Sequence, residues 1–113
     1  RVQAQRFASR ANQIESEERL VFERERVLAE LDASKAQVES AQIRLTAAKR
    51  RAQLSTETRV FFDKSFKFGE TDLPTRLRVE LEAMDAIKQA AQAEITYLAS
   101  VSALRQALGL LPE

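Results

Sequence analysis

Phe66-Lys67-Phe68-Gly69-Glu70-Thr71-Asp72-Leu73-Pro74 is the one place inside the chain where helix-forming sequence stops and starts again. Gly69 is the natural residue just past a helix C-terminus, because glycine takes the left-handed conformation without a Cβ penalty. Asp72 is suited to cap the N-terminus of the next helix, and Pro74 then falls in the first turn, where its missing N–H costs nothing. Four of the six phenylalanines (Phe61, Phe62, Phe66, Phe68) lie in the eight residues before Gly69. A helix turning back leaves a wide end that aromatics fill, so at least two of Phe61, Phe62 and Phe66 are expected to pack there. Phe68, beside the glycine, is the candidate for outward contact.

Upstream of this punctuation, apolar and small residues recur by alternate steps of four and three. They are Val27, Leu31, Ser34, Val38, Ala41, Leu45, Ala48, Ala52 and Ser55, with a break at Arg59 before Phe62. This is a heptad seam, and its small residues predict close helix packing. Phe7, Ala11, Ile14 and Val21 follow the same step in another phase, rejoining near Leu28, which reads as a local change of supercoil. Downstream, the apolar stripe is Leu77, Leu81, Met84, Ile87, Ala91, Ile95, Leu98, Val101, Leu104 and Leu108. Gly109 is expected at C′, with Leu110 folding back on Leu104 and Pro112 barring continuation.

The fold class that follows is all-α: a long antiparallel coiled-coil hairpin with helices over about 3–66 and 73–108, in one unit spanning 1–113. At 1.5 Å per residue the arms measure roughly 95 Å and 54 Å, so the second reaches back only to about residue 30. Phe7, Ile14, Val21 and Phe22 are then left without a partner in the chain, which predicts self-association or a larger parent protein.

Composition agrees. With 31% charged residues, 44% hydrophobic residues, two glycines and two prolines in 113 residues, the chain has the make-up of long helices rather than a compact core. There are no cysteines or histidines, which excludes disulfides, thiol chemistry and His- or Cys-based metal sites. No apolar run approaches the roughly 18 residues that span a bilayer, and from Arg1 onward the pattern is polar and helical rather than that of a signal peptide. The net charge is only +1, but its distribution is uneven. Residues 44–78 carry nine basic against four acidic side chains, and residues 79–113 two against five.

Candidate chemistry is sparse. Lys49-Arg50-Arg51 is too short a basic run, without aromatic or glycine context, to mark a nucleic-acid surface. The glutamates from Glu15 to Glu30 alternate with arginines at helical spacing and read as intrahelical ion pairs rather than as a metal site. Asp63 and Asp72 do not converge with other groups, and a two-helix hairpin offers no enclosed pocket for acid–base work. No catalytic residue, cofactor or metal ligand is assigned.

Phe66-Lys67-Phe68-Gly69, then Asp72-Leu73 and Leu77, then Ala103-Leu104-Arg105-Gln106-Ala107-Leu108-Gly109, resembles the tip and returning helix of the TolC-like outer-membrane efflux proteins. The stretch Phe68-Gly69-Glu70-Thr71-Asp72-Leu73-Pro74-Thr75-Arg76-Leu77-Arg78 looks most like the heavy-metal, CzcC-like branch. The resemblance implies a homotrimeric channel with a β-barrel in the outer membrane and a helical tunnel, an α-barrel, through the periplasm. This chain would be one tunnel hairpin, joined to the membrane only through segments outside it. The tip role that the family implies, docking on a periplasmic adaptor that couples the channel to an inner-membrane pump, falls on Phe68, Gly69 and Glu70. Family members place acidic residues on the pore face beyond the glycine. This chain offers Thr75 and Arg78 there, so a ring of Arg78 at the entrance would select differently.

The implied activity is a passive conduit, without catalysis, for a substrate set by the pump behind it; heavy-metal cations are the class that the branch suggests. Two other readings stand beside it. The α-hairpin of a periplasmic adaptor is also a long antiparallel coiled coil, but its arms are usually equal and its tip rich in Arg, Leu and Ser. A generic coiled-coil scaffold has the same periodicity without the tip.

Overall fold

The computed structural model describes residues 2–110. They form two helices, α1 (Val2–Lys67) and α2 (Leu73–Gly109), with no strand among the described residues. The helices fold back on each other into a rod 100 Å long and 24 by 13 Å across. Because α1 has 66 residues and α2 has 37, the N-terminal stretch of α1 runs on alone. Every residue from Val2 to Arg26 is exposed, and burial begins at Val27 and Leu31, where the end of α2 reaches.

On α1 the heptad expectation holds position by position. Leu31, Ala41 and Leu45 are buried, and Val27, Ser34, Val38, Ala48, Ala52, Ser55 and Phe62 are half-buried. Arg59, the apparent break, falls at a seam position and is half-buried.

On α2 the expectation is corrected for most of the stripe. Leu77, Leu81, Met84, Ile87, Ile95, Leu98 and Leu108 are exposed, while Val101 is half-buried and Leu104 alone of the stripe's large residues joins the inward face. The inward face is Val79, Ala83, Ala86, Ala90, Ala93, Tyr97, Ser100, Leu104 and Ala107, again spaced by alternate fours and threes. Ala83 and Ala86 are 0% exposed. The reason is geometric. The α1 seam is built of small residues, and two small-residue ridges let backbones approach to the short end of the 8–10 Å range of helix packing.

Cross-helix contacts set the register. Arg76 meets Asp63, and Arg51 donates to Gln89 through Nη1 while its Nη2 lies 3.5 Å from Asp85. Extended along the rod, this register brings Tyr97 level with Ala41, Leu45 with Ala93 and Leu31 with Ala107. Shallow grooves shared by Ala41 with Ser100, and by Ser34 with Ala107, follow the same register. Away from the tip, where Arg59 stands level with Val79, each of these bulky seam residues finds a small one opposite.

The C-terminal end also departs from expectation. Gly109 is the last helical residue rather than a left-handed cap, since Gly69 alone has positive φ among the described residues. Leu110 ends the helix in right-handed geometry, its N–H donating to the Ala107 carbonyl at 3.2 Å. It is exposed beside Glu30 and Ser34 rather than folded on Leu104. Pro112 lies outside the described residues.

Among the described residues seven are buried, and four of them are alanines. So small a core gains little from any single contact, and its few large members carry most of it. Leu45→Ala is expected to cost about 2–3 kcal/mol of hairpin stability, whereas Leu81→Ala on the outer face should stay within about 0.5 kcal/mol. Urea unfolding of dilute monomer followed by circular dichroism checks the contrast, and equal effects would mean that the seam has been placed on the wrong face.

Candidate functional site: the hairpin tip

Local backbone chemistry builds the tip. The Glu70 N–H donates to the Ser65 carbonyl at 2.9 Å and the Gly69 N–H to the Phe66 carbonyl at 3.0 Å. This bond pair, with Gly69 at φ 75°, is a Schellman motif closing α1. A Cβ built on Gly69 would meet nothing within 4 Å, so the need for glycine there is conformational rather than steric. Three residues on, Asp72 has extended backbone (φ −79°, ψ 161°), and its Oδ1 accepts from the Thr75 N–H at 3.0 Å. The Thr75 hydroxyl first, and its backbone N–H second, hold the Asp72 carboxyl below the ordinary carboxylate range. Pro74 sits in the first turn, as its sequence position requires.

A side-chain clasp closes the wide end. Arg76 Nε donates to Asp63 Oδ1 at 2.7 Å across the two helices and lies 3.7 Å from Glu80 Oε1 along its own. Its guanidinium stands 4.7 Å from the centroid of the Phe66 ring. Thr71 Oγ1 donates to Ser65 Oγ at 2.6 Å just beyond. A cation over an aromatic face is worth about 0.5–1 kcal/mol and a partly exposed ion pair a similar amount. The clasp therefore stiffens the tip rather than holding up the rod. In the sequence Arg76 is one of the nine basic residues of 44–78. Its signal was available: Asp63 and Arg76 are nearly equidistant from the turn, and a tight hairpin sets such pairs side by side.

The predicted site residues are placed as follows. Phe62 and Phe66 are half-buried and fill the wide end, while Phe61 is largely exposed and meets Phe62 edge-to-face, with ring centroids 5.5 Å apart. Phe68 is 80% exposed, and Glu70 projects beside it. Thr75 is half-buried in the Asp72 cap. Arg78 donates through Nη1 to Glu82 Oε1 at 3.1 Å on the exposed surface of α2. Asp63 and Asp72 are not a carboxylate pair: one grips Arg76 and the other caps α2. Among the described residues no group of three or more His, Cys, Asp or Glu is placed to hold a metal ion, and no helix is long and apolar enough to cross a membrane.

The site is thus a rigid, solvent-facing knuckle: an exposed aromatic and a carboxylate on a glycine turn, above a packed aromatic base. It has the means to bind a surface but no cavity in which to enclose a small molecule. No protein-family model, no curated protein and no solved structure matches the chain.

Gly69→Ala should cost about 1 kcal/mol through the backbone alone, with Gly69→Asn costing less, because asparagine tolerates left-handed geometry. The depressed carboxyl of Asp72 stabilises α2 at neutral pH, and that contribution is lost as pH falls through its folded-state pKa. Asp72→Asn keeps a capping oxygen without titrating. It should therefore lose less helix than the wild type on acidification, and parallel acid titrations by circular dichroism would disprove the cap's share.

Proposed function

We infer that the chain is a tunnel hairpin of an outer-membrane channel of the TolC-like type, a passive conduit in a tripartite efflux system. In this reading the rod stands in the periplasm as part of a homotrimeric α-barrel and meets the membrane through other segments. The tip, Phe68-Gly69-Glu70, docks on the periplasmic adaptor that links the channel to an inner-membrane pump. Heavy-metal cations are the cargo class, by the wording of the tip sequence.

One observation carries the reading. At the end of a 100 Å rod, the glycine turn presents Phe68 with 80% of its surface exposed while its neighbours Phe62 and Phe66 are packed inward. Leaving a phenylalanine on a stiff tip costs solubility and does nothing for the hairpin, so it points to a contact surface. The length of α1 and the apolar outer face of α2 are what a tunnel wall needs, since each helix there must pack on two sides. The unequal arms, 66 and 37 residues, weigh against an adaptor hairpin. Arg78 is engaged with Glu82, so the docking role rests on Phe68, Gly69 and Glu70, and an Arg78 ring at the entrance adds nothing to it.

Copurification of the full-length channel with its adaptor tests this. Phe68→Ala should weaken capture about tenfold or more, as expected for loss of a central aromatic anchor. Phe61→Ala, equally aromatic but off the tip, should leave capture unchanged. Wild-type capture by the Phe68 variant would refute the docking role.

A further inference from the structure

Beyond the reach of α2, the N-terminal stretch of α1 carries a seam of its own. Ala4, Phe7, Ala11, Ile14, Glu18 and Val21 recur by alternate steps of three and four, and all are exposed, Phe7 by 74%. Charge is divided along this stretch. Residues 2–13 hold Arg6 and Arg10 and no acidic side chain, whereas residues 15–25 hold five glutamates against Arg19 and Arg24. Glu15 is engaged with Arg19 at 3.7 Å on the same helix, but among the described residues Arg10 and Glu17 have no ion-pair partner. A helix face that is basic at one end and acidic at the other complements itself when turned end for end.

We propose that this free stretch of α1 takes the same stretch of a second copy, antiparallel, about a two-fold axis between Asn12 and Gln13. The pairing sets Ala4 level with Val21, Ala11 with Ile14 and Phe7 with Glu18, each twice by symmetry. Two of the three pairings set a bulky residue against alanine, the same matching by volume that joins α1 to α2 along the middle of the rod. Glu18 is the weak point of the seam. Arg10 and Glu17 flank it on one side, and in the antiparallel pair Arg10 stands two residues, about 3 Å, off the level of Glu17 of the second copy. That offset is within reach of an ion pair, which forms twice. A parallel pair would instead bring Glu18 onto Glu18 and Glu25 onto Glu25 across the seam.

Over the overlap neither hairpin's α2 intrudes, since burial on α1 begins only at Val27. An overlap of residues 4–21 covers on the order of 500 Å² per copy, short of the roughly 800 Å² per partner of a standard interface, so the contact is a weak one. It is independent of the tunnel reading, because it uses the free end alone, sends the two tips in opposite directions and is complete with two copies.

The test is sedimentation velocity on the whole chain from about 1 μM to 1 mM, the range in which a weak dimer forms. Wild type should dimerise, and several-fold less strongly as salt rises from about 0.1 M to 1 M and the Debye length falls from roughly 10 Å to 3 Å. Ile14→Glu should weaken the dimer about tenfold or more while leaving the urea midpoint of the hairpin unchanged. Glu18→Leu, which puts an apolar residue into the seam, should strengthen it about tenfold. Arg10→Glu and Glu17→Arg should each weaken association alone. Mixed, those two variants should pair with one another at wild-type strength, since both ion pairs between the copies are restored with one of them reversed. Ala4→Cys and Val21→Cys chains, mixed and oxidised, should cross-link to each other and not to themselves, the chain having no other cysteine. Val21→Cys chains that cross-link to themselves would mean a parallel pair and overturn the proposal. So would a wild-type monomer at every concentration, or charge variants that do not rescue each other. Association kept in Ile14→Glu but lost in Ile95→Glu would overturn it too, assigning the contact to the outer face of α2.

Discussion

Close approach of α1 and α2 through small side chains is the constraint on which the rest of the structure depends. Ala83 and Ala86 are fully covered, and the register sets Ser55 and Ala52, themselves small and half-buried, level with them. Larger residues could not be accommodated there without spreading the helices. Along the middle of the rod bulk is set against small residues, as for Tyr97 level with Ala41. Once the inner faces are committed to small residues, the large apolar side chains of α2 have nowhere to go but outward.

That partition explains why the hairpin resembles a building block rather than a finished domain. An alanine seam releases little free energy per residue, and an outward stripe of Leu, Met and Ile is not stable against water over such a length. Both deficits are met together when something packs on the outer faces. A wall of helices, each touching two neighbours, is the arrangement in which narrow inner seams and apolar outer seams are both satisfied.

At the tip the demands are reversed. There the helices must part to make the turn, and Phe62, Phe66 and the Arg76 clasp fill the space that alanines cannot. The Schellman bonds and the Asp72 cap satisfy the backbone groups that a bare turn would leave open. A turn so fully bonded moves little on contact, so Phe68 is presented without an ordering cost.

The sequence by itself determined the two helices, their turn, the caps at Gly69 and Asp72, and the seam of α1, because these depend on local backbone preferences and on one unambiguous periodicity. It also determined that α2 would run out near residue 30, which is only a matter of length. Tertiary structure alone decided which face of α2 turns inward. Two heptad stripes run along that helix, and ranking them by hydrophobicity selects the Leu77–Leu98 stripe. The choice is made by volume: the partner seam is small, so the small stripe fits and the large one does not. The same holds for Arg76, whose role appears only when the turn brings Asp63 and Phe66 to it, and for Gly109, which is the last helical residue rather than a left-handed cap. Local preference writes the elements, and complementarity of shape between them decides what each one shows to the outside.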